Sequence, residues 1–210
     1  MTTATPAVHV VDDDADFRTA LIRLLTASGY EAFGYSSGED FLARGTQASG
    51  CVVADLRMPQ LDGLGLQEAC QRTAVTLPFV FLTGDGDVPS AVTALKHGAV
   101  DFLEKRAPRE ELIAAINGAL QRDLMARSAR SRQDHLRQRL ACLSEREQQV
   151  LSLVVRGRMN KQIAAQLAIH ERTVKLHRTA ITSKLGVRSV AELTLLVREM
   201  QEPEAAAALS

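Results

Sequence analysis

Up to about residue 120 the chain alternates short apolar or β-branched runs with longer stretches whose apolar residues recur every three or four positions. The short runs are Val8–Val11, Glu31–Tyr35, Cys51–Ala54, Pro78–Leu82 and Asp101–Glu104, each of strand length. Between them Phe17, Leu21, Leu24 and Leu25 share one helical face, as do Ala91 and Leu95 before the stop signal at Gly98. Strand and helix in regular alternation predict parallel strands with crossover helices, an α/β domain over residues 1–120.

The pattern then changes. Leu112, Ile113, Ile116, Leu120 and Leu124 keep helical spacing, with Pro108 suited to a first turn. No Gly or Pro interrupts the run into an Arg-, Ser- and Gln-rich segment, so 121–140 reads as a linker, a helical extension or else a flexible connector. From Leu143 to Met200 the pattern is helical throughout, broken at Gly157 and Gly186, and predicts an all-α domain over 141–202 with a frayed tail at 203–210.

Composition sharpens this division. The net charge of +0 hides an imbalance: residues 1–120 hold 9 Lys and Arg against 16 Asp and Glu, while 121–210 hold 16 against 9. The basic half is suited to a polyanion, although a basic face is as often simply solvated. Cys51, Cys70 and Cys142 form no CxxC pair, which argues against a zinc site or a disulfide framework. No histidine has metal-ligand spacing, and His9 and His97 read as structural. No apolar run approaches the ~18 residues of a membrane span and the first residues lack a basic leader, so a soluble cytoplasmic protein without a membrane partner is expected.

In an open parallel sheet, functional groups collect where strands end. The first run ends in Asp12, Asp13 and Asp14, the third in Asp55, the fourth in Thr83 and the fifth near Lys105. Any one of these Asp residues alone would suit a helix cap, but several carboxylates in one crevice repel unless a cation joins them, and hard oxygen donors suit Mg²⁺.

Asp12-Asp13, Asp55-Leu56-Arg57-Met58-Pro59, Thr83-Gly84 and Lys105 resemble the receiver domains of two-component response regulators, over nearly all of residues 7–120. The run Thr83 to Pro89 resembles the FixJ group in particular. The resemblance implies a doubly wound, flavodoxin-like strand order and a phosphoryl group taken by Asp55 from a sensor histidine kinase. It further implies Mg²⁺ held by Asp13, Asp55 and the Arg57 carbonyl, with Asp12 acting through water. Lys105 would neutralise phosphoryl oxygens, Thr83 would bind the product, and Phe102 would change rotamer in response unless it is plain core. Arg57 and Asp85 are expected to pair over the phosphoryl group. Arg106 stands where relatives carry Pro after a cis bond; a trans bond is expected here, with Lys105 free to be displaced.

In the second domain Ser144 and Glu147 have capping-box spacing. Asn160–Leu167, a break over Ala168–Glu171 and a helix from Thr173 towards Leu185 fit a helix-turn-helix. This stretch resembles the LuxR-type domain of NarL and FixJ regulators. Val174, Ile181 and Leu185 share a buried face; Thr173, Lys175, Leu176, His177, Thr179 and Ser183 lie elsewhere on the helix that should enter the major groove. Lys161, Arg172, Arg178, Lys184 and Arg188 are expected to reach phosphates. His170 and Thr179 depart from the family habit of a Ser or Thr cap and a further basic residue. The combined expectation is a transcription regulator rather than an enzyme, binding double-stranded DNA as a phosphorylation-dependent homodimer. A phosphate sink, a small-molecule-sensing regulator and a receiver that is never phosphorylated are the rivals.

Overall fold

The computed structural model describes residues 7–45, 49–73, 75–84, 88–189 and 191–197 and divides the chain into two compact units, 1–127 and 128–210. The tail 203–210 and Asp85 lie outside the described residues.

In the first unit five strands, β1 (Ala7–Val11), β2 (Glu31–Tyr35), β3 (Cys51–Asp55), β4 (Phe79–Thr83) and β5 (Asp101–Glu104), alternate with α1 (Ala15–Ala27), α2 (Gly38–Arg44), α3 (Gly63–Arg72) and α4 (Val88–Lys96). All pairs are parallel and the order is β2-β1-β3-β4-β5, the doubly wound flavodoxin-like arrangement expected. The two-residue period of each strand divides its side chains between two cores. Val11, Val52, Ala54, Phe79 and Phe81 pack with Phe41, Leu66, Cys70 and Ala94 of α2, α3 and α4. Val8, Val10, Val53, Val80 and Leu82 pack with Leu21 and Leu25 of α1 and Leu112, Ile116 and Ala119 of the helix after β5. Every residue of β3 is buried because both cores press on it. The register decides function, since Val11 lies beside Ala54, Asp55 beside Leu82 and Thr83 beside Glu104. The residues that follow β1, end β3 and β4, and follow β5 therefore meet at one edge.

The helix after β5, α5 (Arg109–Ala141), runs unbroken for 33 residues, so 121–140 is helical. In the second unit α6 (Glu145–Val155), α7 (Asn160–Leu167), α8 (Glu171–Lys184) and a helix over 191–197 follow. Leu143, Val150, Ile163, Val174, Ile181, Leu185 and Leu193 form their common core. Gly157 (φ 74) follows α6, and Ala168 takes the left-handed conformation (φ 51) that ends α7, with the Ile169 amide donating to the Ala164 carbonyl (3.0 Å).

His9 is structural, as expected: the buried ring lies with Nδ1 3.1 Å from the Tyr35 hydroxyl and Nε2 3.3 Å from the Ser49 carbonyl, and burial lowers its pKa. Beside it, Gly50 has φ 117, and a Cβ there would meet the Ala7 carbonyl oxygen at 1.9 Å. Gly98 has φ 87 but open space around it. Gly50→Ala is therefore expected to cost ~2 kcal/mol or more, against ~1 kcal/mol for Gly98→Ala, where only backbone strain acts. Urea denaturation checks this, and equal midpoints for the two variants would show that the close approach at Gly50 carries no cost.

Candidate phosphoacceptor pocket and DNA-reading helix

The pocket forms where β1, β3 and β5 end. Asp55 closes β3, is 8% exposed, and accepts at Oδ1 from the Arg57 amide (3.2 Å). Asp12 is 1% exposed and accepts at Oδ1 from the Asp14 amide (2.9 Å). The Lys105 ammonium lies 2.8 Å from both Asp12 Oδ2 and Asp55 Oδ2, and 4.5 Å from the centroid of the Phe17 ring. Burial alone would lower the Lys105 pKa, but hydrogen bonds to Asp12 and Asp55 reverse the sign and hold it above its ordinary value. Burial raises the Asp12 carboxyl, against the opposing pull of Lys105. Asp14 turns outward, caps α1 through the Phe17 and Asp16 amides, and is held below the usual carboxylate range by them.

The other pocket residues gather as the register dictates. Thr83 is 1% exposed and its carbonyl accepts from the Lys105 amide (2.7 Å). Asp13 is exposed, and one carboxylate oxygen from each of Asp12, Asp13 and Asp55 lies within 4.8 Å of the others. Phe102 is half-buried and packs on the core that contains Phe81 and Ala94. The displacement of Lys105 made possible by Arg106 does not occur: no cis peptide bond is present among the described residues, and the ammonium still reaches both carboxylates.

In the second unit α8 buries Val174 and Ile181, with Leu185 buried at its C-cap, and turns Lys175, Thr179 and Leu176, the last 64% exposed, to solvent. Arg172, Lys161 and Arg188 are exposed, and Thr173 and His177 are half-exposed. Two of the basic residues expected at phosphates also bond within the protein. Arg178 donates to Asn160 Oδ1 (2.8 Å), tying α8 to the start of α7. Lys184, likewise expected at a phosphate, pairs with the buried Glu147 carboxylate (2.7 Å) while its side chain stays partly exposed. The capping box is formed, with the Ser144 amide donating to Glu147 Oε2 (2.7 Å) and the Glu147 amide to Ser144 Oγ (3.3 Å).

A model of the response regulator receiver domain matches residues 8–117, and a model of the bacterial regulatory proteins of the luxR family matches 141–197. FixJ of Rhizobium meliloti is 41% identical over 187 residues, covering 89% of this chain and 92% of that one. The tetrathionate response regulatory protein TtrR of Salmonella typhimurium is 39% identical over 201 residues, 94% of each chain. The chain belongs to the NarL/FixJ-type response regulators. The solved structure of the response regulator StyR is also similar, with 45% identity, a TM-score of 0.84, and coverage of 93% of this chain and 100% of that one.

As a member of this family the response regulator is a two-component transcriptional regulator that joins a receiver, characteristically phosphorylated by a kinase, to a DNA-binding domain. Receivers generally bind Mg²⁺ at such an acidic pocket. Among the described residues no helix is long and apolar enough to cross a membrane.

Pattern reading missed four contacts of this response regulator. Phe17 meets Lys105, and the Arg18 guanidinium donates to the Asp12 carbonyl. Arg139 donates to the Leu185 carbonyl at the end of α8, and Lys184 meets Glu147. Only Glu147 carried a local signal, its capping-box spacing. Its pKa is lowered to about 2, first by Lys184 and then by the Ser144 amide. A folded-state pKa below the unfolded value means that the stabilisation is present above pH ~4.5 and is lost as pH falls towards 2. The stability difference between wild type and Glu147→Gln should thus be largest near neutrality and shrink across that window, followed by denaturation of both proteins at each pH. A difference independent of pH would show that the charge is immaterial.

Proposed function

We propose that Asp55 is the phosphoacceptor and that its phosphorylation controls DNA binding by the second unit. The observation that carries this reading is the Lys105 ammonium shared by Asp12 and Asp55 at the edge where β1, β3 and β5 end. A carboxylate oxygen of Asp55 attacks the phosphorus of a phosphohistidine on a sensor kinase. The O–P bond forms as the P–N bond breaks, the electron pair returns to the imidazole, and that ring takes up a proton. Lys105 offsets charge on the phosphoryl oxygens, and the Thr83 hydroxyl donates to one of them in the product.

Asp12, Asp13 and Asp55 fit a divalent cation, because three hard oxygens converge and the single ammonium bridges only two of them. Asp13 and Asp55 would hold Mg²⁺ directly with the Arg57 carbonyl, and Asp12 through water. When bound, Mg²⁺ spreads the charge of the transferring phosphoryl group. Phe102, packed between sheet and α4, is the residue whose rotamer follows Thr83.

The DNA partner is duplex, read by Lys175, Leu176 and Thr179 in the major groove, with Lys161, Arg172 and Arg188 on phosphates and Thr173 and His177 at the margin. The protein acts in the cytoplasm as a dimer on paired half-sites, and phosphorylation of the receiver favours that dimer. Apart from this phosphotransfer it is a regulator and catalyses no metabolic reaction.

With a small phosphodonor and Mg²⁺, intact-mass measurement should show one phosphoryl group on wild type and none on Asp55→Asn. Equal labelling of Asp55→Asn would overturn the assignment. In fluorescence anisotropy titrations of operator DNA, phosphodonor should tighten binding of the wild type alone. Lys175→Ala should weaken specific binding by ~1 to 3 kcal/mol, whereas Lys161→Ala should lower the salt slope by about 1 for all sequences. A Lys175→Ala protein that binds all sequences as wild type does would remove α8 from base reading.

A further inference from the structure

The Lys105 ammonium lies against two carboxylates and an aromatic ring. Asp12 and Asp55 each lie 2.8 Å away, and the ring is that of Phe17 on α1, 4.5 Å from Nζ to the centroid. The ring is fixed from both ends. The Phe17 amide donates to Asp14 Oδ1 (3.1 Å) in the cap of α1, and the side chain packs on the core of Leu21, Leu82 and Leu112.

We propose that Phe17 is a positioning residue for phosphoryl transfer, its π face holding the Lys105 ammonium over the pocket independently of Asp55. The inference rests on the reading of Asp55 as phosphoacceptor. A lysine head is a compact charge on a flexible four-carbon stem, so its place depends on what surrounds it. Both carboxylates that it bridges take on other duties in the reaction: Asp55 gains an O–P bond and loses its full charge, and Asp12 would help to hold Mg²⁺ through water. The ring changes in neither respect. It attracts the ammonium through its quadrupole and occupies none of the hydrogen-bond directions, which leaves the N–H donors for Asp12 and for the incoming phosphoryl oxygens. An ammonium already in place spares the transition state the ordering of a four-carbon chain. Arg106, the next residue, is exposed.

The contact and its kinetic consequence are tested separately. In the unphosphorylated full chain, NMR of labelled lysine should show the Lys105 ε-protons shifted upfield by the ring. That shift should vanish in Phe17→Leu and persist in Phe17→Tyr. With acetyl phosphate and Mg²⁺, Phe17→Leu should be labelled at Asp55 about 3- to 10-fold more slowly, with Phe17→Tyr near wild type. Replacing Phe17 by phenylalanines of increasing fluorination, which keep the shape and drain the π face, should lower the rate stepwise. An unshifted Lys105 in wild type would overturn the contact. A shifted Lys105 with rates indifferent to fluorination would overturn the positioning role. Absence of labelling on wild-type Asp55 would overturn the phosphoacceptor reading while the NMR shift still reported the contact.

Discussion

An ammonium clamped between two carboxylates at the edge of a parallel sheet is the constraint on which the receiver depends. Lys105 follows β5, Asp12 follows β1 and Asp55 ends β3. They meet because β3 lies next to β1 and only one strand, β4, separates it from β5. A sheet of this order has a strand buried on both faces at its centre, and that strand delivers its last residue into a crevice rather than to open solvent. Buried ion pairs return little net stability once desolvation is counted. The raised pKa of Asp12 is the mark of that cost. The cluster is therefore better understood as a poised arrangement of charge than as a fastening, and the two apolar cores on either side of the sheet hold it together.

The same geometry explains why Thr83 belongs to the pocket. Its carbonyl accepts from the Lys105 amide, so the loop that carries the ammonium is anchored to the end of β4. Asp14, adjacent to the acidic pair in sequence, is excluded by its use as the cap of α1. Three consecutive aspartates thus take three separate positions: Asp12 buried on Lys105, Asp13 exposed beside it, and Asp14 at a helix start.

Much of this was legible because period-2 and period-3.6 patterns are local. The five apolar runs became the five strands with shifts of a residue at some ends, and the reason is visible at Asp55 and Thr83, polar residues that pair in the ladder with Leu82 and Glu104. The buried face of α8 followed from helical spacing in the same way. What the pattern could not show depends on distance along the chain. Lys105 meets Asp55 across 50 positions, and strand ends with the receiver resemblance were needed to bring them together, while Lys184 meets Glu147 across 37, a separation for which no spacing rule exists. The trans bond expected at Arg106 left room for Lys105 to be displaced, yet the ammonium lies 2.8 Å from both carboxylates. Phe17 read as one more apolar residue on a helical face because a ring's packing side and its π side look the same in a sequence.

Charge marked the half that carries the luxR-type domain, but not the contact that each cation makes. The basic half of the chain suggested a polyanion, yet some of its cations satisfy the fold itself. The Lys184 ammonium answers a carboxylate that also caps α6, and Arg139 covers a carbonyl left open where α8 ends. Arg178 is bound to Asn160 across the helix-turn-helix. These residues shape the unit that presents α8. Lys175, Leu176 and Thr179 are left outward on α8, with Lys161, Arg172 and Arg188 exposed as well. On the proposed reading these two sets divide the work, because cations on phosphates fix the register of a recognition helix without reading sequence, and discrimination has to come from the few side chains that face the bases.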